Sequence, residues 1–287
     1  KELLSIVGGK SPQFSPNSSF VVFTLNTLEK DLHQLKLKKT KKEDFPLSSL
    51  GIYDLTTKKL DTIIDIKSYK IPSKGSDVIA YQVKLADDST KKTKAKKRPL
   101  SLSIYNLATK NRQEFPSVSD YYFNKEGNVL LFASEGEEKG FEAGLYKLDL
   151  RSNNLLNLFS GKADFKQLTL NDSGTKIAFL VDTNTNKKAD KDYQLYSWAE
   201  GNQIAKMIFN NTNTTLPVDW EISSEGEISF APNTNRLFFG IAPIKNKPDT
   251  TVLEEDIPML DVWHWNEDLL QTVQINRKKR DLNKSYL

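Results

Sequence analysis

The 287 residues carry 41 Lys and Arg against 37 Asp and Glu, a net charge of +4, with 27% charged and 38% hydrophobic residues. That balance describes a folded globular chain rather than a disordered one, and the cationic excess is too small to point to nucleic acid. Cysteine is absent, which excludes a disulfide framework, thiolate metal sites and thiol catalysis; His33 and His264 are the only histidines. No apolar run reaches the roughly 20 residues that span a bilayer. The opening Lys1-Glu2-Leu3 reads as a processed or truncated beginning.

In chain order, one ten-residue pattern recurs: an apolar residue, a polar turn, then a short apolar strand. It reads FSPNSSFVVF from Phe14, IPSKGSDVIA (the weakest copy) from Ile71, FNKEGNVLLF from Phe123, LNDSGTKIAF from Leu170 and FAPNTNRLFF from Phe230. Alternation with period two on either side of a turn predicts β-hairpins, with Gly127 and Gly174 where the turn wants positive φ. A second element follows each hairpin, apolar-aromatic-x-apolar, at Ile52–Leu55, Ile104–Leu107, Leu145–Leu148, Leu195–Trp198 and Val262–Trp265. Its aromatic positions 53, 105, 146, 196 and 263 are spaced by 52, 41, 50 and 67 residues. Two hairpins per unit make four antiparallel strands, the blade of a β-propeller.

The expected fold is therefore all-β, with about five blades at 12–66, 69–116, 118–160, 166–209 and 226–275, and a sixth beginning near 282. Either five blades close on themselves or the chain is part of a larger ring, and the second reading is favoured. Helical periodicity is confined to Asn26–Leu37, where Leu28, Leu32 and Leu35 recur; it runs into Lys36–Lys42, five lysines in seven residues, and reads as an exposed inter-strand insertion. Lys91–Arg98, with six cations in eight residues, lies inside the second blade. Neither run interleaves aromatics that would stack on bases, so both read as solvated loops.

Several of these stretches resemble exported bacterial peptidases of the prolyl oligopeptidase and dipeptidyl peptidase IV family. They are Leu50–Leu55, Tyr121–Gly127, Gly174–Leu180, Arg236–Gly240 and, most specific, Asp261-Val262-Trp263-His264-Trp265 with Asp268–Gln271. The hairpins alone are similar to TolB-like propellers too. The resemblance covers essentially the whole chain. It implies a seven- or eight-bladed propeller ahead of an α/β-hydrolase domain, a periplasmic or secreted location, short peptides as partners and no cofactor. It also implies that the propeller limits substrates to short peptides. Yet no Gly-x-Ser-x-Gly elbow is present: Gly8-Gly9-Lys10-Ser11-Pro12 lacks the second glycine. No strand–helix alternation builds a hydrolase sheet. No catalytic, cofactor or metal residue is assigned, and the hydrolase half is expected beyond Leu287.

Other candidates carry structural readings. Asp182, Asn184, Asn186 and Asp190, with Asp192 nearby, space oxygens like a calcium loop, but Lys187 stands where Gly is needed and no Glu closes the set. Asn171–Thr175 resembles the Asp-box turn of sialidases without its Trp, and Asx-turn chemistry accounts for it. Trp220, Trp263 and Trp265 are expected between blades, with His264 on the opposite face. Asp120, Asp219, Glu221 and Asp261 are the carboxylates of a possible five-bladed glycosidase, whose acid and base stand about 5–10 Å apart, though spacing singles out no pair. Asn17, Asn210, Asn213 and Asn283 head Asn-x-Ser/Thr triplets that read as polar turns. A TolB-like interaction module and a glycosidase therefore stand as alternatives to the peptidase reading.

Overall fold

A computed structural model describes residues 5–41, 45–84, 100–137, 140–184, 186, 190–232, 234–245 and 264–287. The strands are β1 (Gly9–Phe14), β2 (Phe20–Leu25), β3 (Ser48–Asp54), β4 (Leu60–Lys70), β5 (Val78–Lys84), β6 (Leu100–Asn106) and β7 (Arg112–Phe115), then β8 (Val118–Phe123), β9 (Val129–Ser134), β10 (Gly144–Asp149) and β11 (Asn154–Ser160). They continue with β12 (Asp164–Leu170), β13 (Lys176–Asp182), β14 (Gln194–Ala199) and β15 (Lys206–Phe209), and the short β16 (Trp220–Ile222), β17 (Ser229–Phe230), β18 (Leu237–Phe238) and β19 (Ile241–Pro243). Two helices interrupt them, α1 (Glu29–Leu37) and α2 (Gln271–Leu282).

The three larger sheets meander in sequence order with antiparallel pairing: β1 to β7 in one sheet, β8 to β11 in a second, β12 to β15 in a third. Successive four-stranded meanders are the sheet pattern of propeller blades. The seven-stranded sheet joins two of them because β4 is continuous; Ile66 pairs with Ser48 of β3 on one side and Val83 of β5 on the other. Asp65 just before it, at φ +58, takes up the bend. Further on, β16 pairs with β19, and β17 with β18.

The chain divides into two compact units. One holds residues up to Asp164 with Leu170–Ile177 and Trp198–Ala205; the other holds Phe165–Thr169, Ala178–Ser197 and Lys206 onward. Within the first, alternation along β5 explains the packing. Ile79 and Tyr81 join Phe20, Val22, Leu50, Ile52 and Leu107 in one core. Val78 and Ala80 face the other way, into a core with Leu102, Ile104, Phe115, Leu130, Phe132 and Tyr146. A strand buried on both faces reads as an unbroken apolar run, and β9, buried at all six positions, does so. In the second unit, Ala178, Leu180, Leu195, Ile222 and Ile228 form the core.

The hairpin turns of the first unit are tied to one another. The Asn17 amide donates to Asp77 Oδ1 at 3.3 Å, the Ser76 amide to the Gly127 carbonyl at 3.3 Å, and Asn124 Nδ2 to the Asp172 carbonyl at 2.9 Å. Lys125 Nζ reaches Asp172 Oδ2 at 2.7 Å. Ser18, Gly75, Gly127 and Gly174 hold one equivalent turn position, all at positive φ of 57°, 79°, 69° and 74°. The outer hairpins repeat a second device: Asp54, Asn106 and Asp149 each accept two backbone amides from the residues two and three further on, at 2.8 to 3.0 Å.

The segment Asn26–Leu37, read as an exposed inter-strand insertion with helical periodicity, contains the nine-residue α1 between β2 and β3, with no buried side chain. One expectation changes. The stretch expected to end a fifth blade and begin another near 282 is instead α2, after which Tyr286 forms a single antiparallel bridge with Ile241. Only Val273, Ile275 and Leu282 are apolar in α2, too few for a 3.6-residue stripe to register.

Candidate functional site

A group of interacting ionisable side chains in the first unit lies where β4 meets β8. Lys70 Nζ donates to the Tyr121 carbonyl at 2.5 Å and stands 3.7 Å from the Tyr122 ring centroid and 4.8 Å from that of Tyr121. Asp120 accepts the Tyr121 amide at 2.9 Å through Oδ1 and the Tyr122 hydroxyl at 2.9 Å through Oδ2. Gln82 Nε2 donates to the Val118 carbonyl at 2.8 Å, which turns its Oε1 toward the Ser68 hydroxyl at 2.9 Å. Ser68 then donates to Gln82, so the Tyr121 hydroxyl, 3.0 Å away, donates to Ser68.

Burial lowers the Lys70 pKa, and the negative charge of Asp120 only partly offsets it. Tyr121 is pushed up to about 12 by burial, and Tyr122 to about 12 by burial and then by its bond to Asp120. Both phenols keep their protons in the folded chain after an unfolded chain releases them near 10.0. Their contribution to stability is therefore complete below pH 10 and falls away as pH rises toward 12. An alkaline absorbance titration is expected to show two tyrosines ionising late, with the loss of strand structure, and Tyr122→Phe to remove one of them; ionisation of both before unfolding contradicts the assignment. Each hydroxyl here has a partner, so the network clamps β4 to β8 and presents no activated nucleophile.

The first unit also has an open cleft of about 390 Å³ at the ends of β2, β3 and β4, lined by Leu25, Asn26, Pro46, Leu47, Ile64 and Asp65 among others. Among the described residues Asp65 is the one ionisable group in its wall.

The sequence-derived candidates do not converge. Asp182 is 2% exposed; its Oδ1 accepts the Asn184 amide at 2.8 Å and its Oδ2 meets Lys191 Nζ at 3.2 Å. A lysine thus occupies the place a cation would take, while Thr185, Lys187 and Lys188 lie outside the described residues. Asp192 Oδ1 is held by Asn211 Nδ2 at 2.8 Å. Burial raises the pKa of Glu221, Lys245 counteracts it, and Asp192 and Asp190 add to it. Among the described residues no three His, Asp or Glu side chains are grouped as a metal site needs. Asn171 Oδ1 accepts the Lys176 amide across the hairpin turn at 2.9 Å, five residues on rather than the two of an Asx turn.

Trp220 stacks edge-on against Tyr286 at 5.4 Å. Trp265, expected between blades, is 89% exposed, because the chain turns at Trp265–Asn266 instead of continuing as a strand; Asp261 and Trp263 lie outside the described residues. His264 Nδ1 accepts the nearby Asn266 amide at 3.2 Å, and His33 is exposed on α1. Among the described residues neither histidine meets a serine hydroxyl or a carboxylate. Asp219, at φ +62, stands at a turn before β16. The Lys91–Arg98 run and Lys42 are outside the described residues, whereas Lys36, Lys38 and Lys39 are exposed at and beyond the end of α1. What sequence reasoning missed is the Lys70 clamp, whose members are separated by some fifty residues and come together only through strand packing.

No family model matches the chain, and no curated protein matches it. Among solved structures it is similar to the β-propeller domain of the Trilobed protease from Pyrococcus furiosus, with 13% identity, 83% of this chain and 69% of that chain covered, and a TM-score of 0.44. It is also similar to a prolyl endopeptidase, with 7% identity over 82% of this chain and 32% of that chain at a TM-score of 0.47. A third is TolB from Acinetobacter baumannii, with 13% identity, 82% and 51% covered, and a TM-score of 0.36. The chain spans about a third of the prolyl endopeptidase and about half of TolB.

Proposed function

We propose that this chain is the non-catalytic β-propeller region of an exported serine peptidase of the prolyl oligopeptidase type, with its hydrolase domain outside this sequence. The observation that carries the reading is the run of meanders from β1 to β15 in chain order, with a strand buried along almost its whole length, β9 and β13, inside the second and third sheets. Three of the stretches that resemble the family lie on those strands, Leu50–Asp54 on β3, Tyr121–Phe123 on β8 and Lys176–Leu180 on β13, whereas the Asp261–Trp265 stretch does not. The proposed role is steric: rigid sheets stand before the catalytic site, admit short peptides and turn away folded proteins. Cleavage would proceed by acyl transfer in the other domain.

The purified 287-residue chain is expected to leave chromogenic dipeptidyl and prolyl substrates intact. Turnover that survives repurification overturns the non-catalytic assignment. Reading the coding sequence after Leu287 gives the second arm. A continued blade followed by Gly-x-Ser-x-Gly supports the peptidase, and a stop codon there rejects it in favour of a self-contained interaction module or glycosidase.

A further inference from the structure

The first strand of the first unit is held differently from the strands that follow it. Every residue of β1, from Gly9 to Phe14, is exposed, and its one large apolar side chain, Phe14, is 65% exposed. β2 beside it buries Phe20, Val22 and Phe23. The ladder between the two is interrupted. Lys10 faces Thr24 while Gln13 faces Val22, so β1 carries one residue more than β2 over that stretch. Inside this bulge Ser11 takes φ +51, and Pro12 has no backbone N–H to donate. Apart from its ladder with β2, β1 receives one hydrogen bond from another element among the described residues, from the Tyr69 hydroxyl to the Ser11 carbonyl at 3.3 Å.

The turn that follows β1 is, by contrast, firmly fixed. Ser15 is buried; its amide donates to the Phe20 carbonyl at 2.9 Å, and its hydroxyl accepts the Phe20 amide at 3.1 Å while donating to Asn17 Oδ1 at 2.8 Å. The Asn17 amide is in turn bonded to Asp77 in the next hairpin turn. We propose that β1 is a detachable strand, which leaves β2 by pivoting at Ser15 while β2 to β7 stay paired. The contacts on its two sides are unequal. Departure gives up the interrupted ladder and one bond from Tyr69, but it takes no β1 side chain out of the core, so the hydrophobic term that holds the other strands is missing here. Phe20 and Val22 of β2 pack with Leu50, Ile52, Ile79 and Tyr81, in a core to which β1 contributes nothing. Opening bares the backbone edge of β2. β1 is therefore a removable cover for an edge to which an extended strand can add.

Native-state hydrogen exchange of the whole chain, in urea below its unfolding transition, tests this. The amides of β1 are expected to exchange about tenfold or more faster than those of Ile52 and Tyr81, at rates that hardly change with urea, because a local opening exposes little surface. The rates at Ile52 and Tyr81 should climb steeply with urea. Lys10→Cys with Thr24→Cys, opposite each other in a chain that has no other cysteine, places a disulfide across the ladder. Exchange in β1 is expected to be about tenfold or more slower in the oxidised form than in the reduced one. β1 amides that share the urea dependence of Tyr81 overturn the proposal, because β1 then opens only with the whole unit. Equally fast exchange in the oxidised and reduced forms overturns it too, since a strand fastened to β2 cannot leave it.

Discussion

Replacing Gly127 with alanine is expected to lower the stability of the first unit by about 3–5 kcal/mol, among the largest single-residue losses in the chain. Two causes add. Gly127 sits at φ +69, a region that costs an alanine about 1–2 kcal/mol. In addition, its new Cβ would lie 1.8 Å from the Lys74 carbonyl oxygen and 2.6 Å from Pro72 Cβ. A backbone oxygen cannot swing aside as a lysine tip can, so the turns around 74 and 127 must part. That breaks the Ser76-to-Gly127 bond and the Ser73 Oγ bond to the Lys125 carbonyl, both at 3.3 Å. Gly201→Ala isolates the conformational part, because Gly201 lies at φ +91 with nothing within 4 Å of its added Cβ, and about 1–2 kcal/mol is expected there. Urea unfolding of the two variants makes the comparison. Equal losses would mean that the turns do not hold each other. Gly75→Ala, whose Cβ meets the Glu126 carbonyl at 2.2 Å, strains the same junction, so the double variant should lose less than the sum.

The fold was legible because its information is local. The hairpins announce themselves by period-two alternation and by turn residues at a fixed offset, and Gly127 and Gly174 carry the positive φ their places require. The apolar-aromatic-x-apolar element falls on β3, β6, β10 and β14 in four of its five copies. The fifth, Val262–Trp265, shows where pattern stops being sufficient: its described end turns into solvent at Trp265. The helices were hard for a related reason. A helix that buries nothing needs no apolar stripe, so α2 leaves no periodic trace, and α1 left only three leucines.

Sites were less legible, since they depend on which strands lie side by side. Lys70 looks in the sequence like one more lysine among many; only the pairing of β4 with β5, and the packing of β8 beside it, places two tyrosine rings and a carbonyl around its nitrogen. The loop after Asp182 shows the converse. Its oxygen spacing is visible in the sequence, but the pairing of Lys191 with Asp182 is a matter of folding.

Phe132→Ala is expected to cost about 3–5 kcal/mol, close to the Gly127 effect but by another route. Phe132 is fully buried on β9, with ring centroids 4.6 Å from Phe115, 5.5 Å from Tyr146 and 6.5 Å from Phe141. Truncation removes the ring's transfer energy and leaves a cavity walled by β-strands that cannot collapse without breaking their ladders. Because Val78, Ala80, Leu102 and Ile104 share this core, the loss should not stay in the sheet that contains Phe132. Native-state hydrogen exchange is expected to show the amides of β5 and β6 losing protection together with those of β8 to β10, as one cooperative block. Phe14→Ala, on the exposed β1, should change stability by no more than about 0.5 kcal/mol and leave that block intact. Loss of protection confined to β8–β10 in the Phe132 variant would show that the sheets on either side of this core open separately, which the shared apolar face between them does not allow.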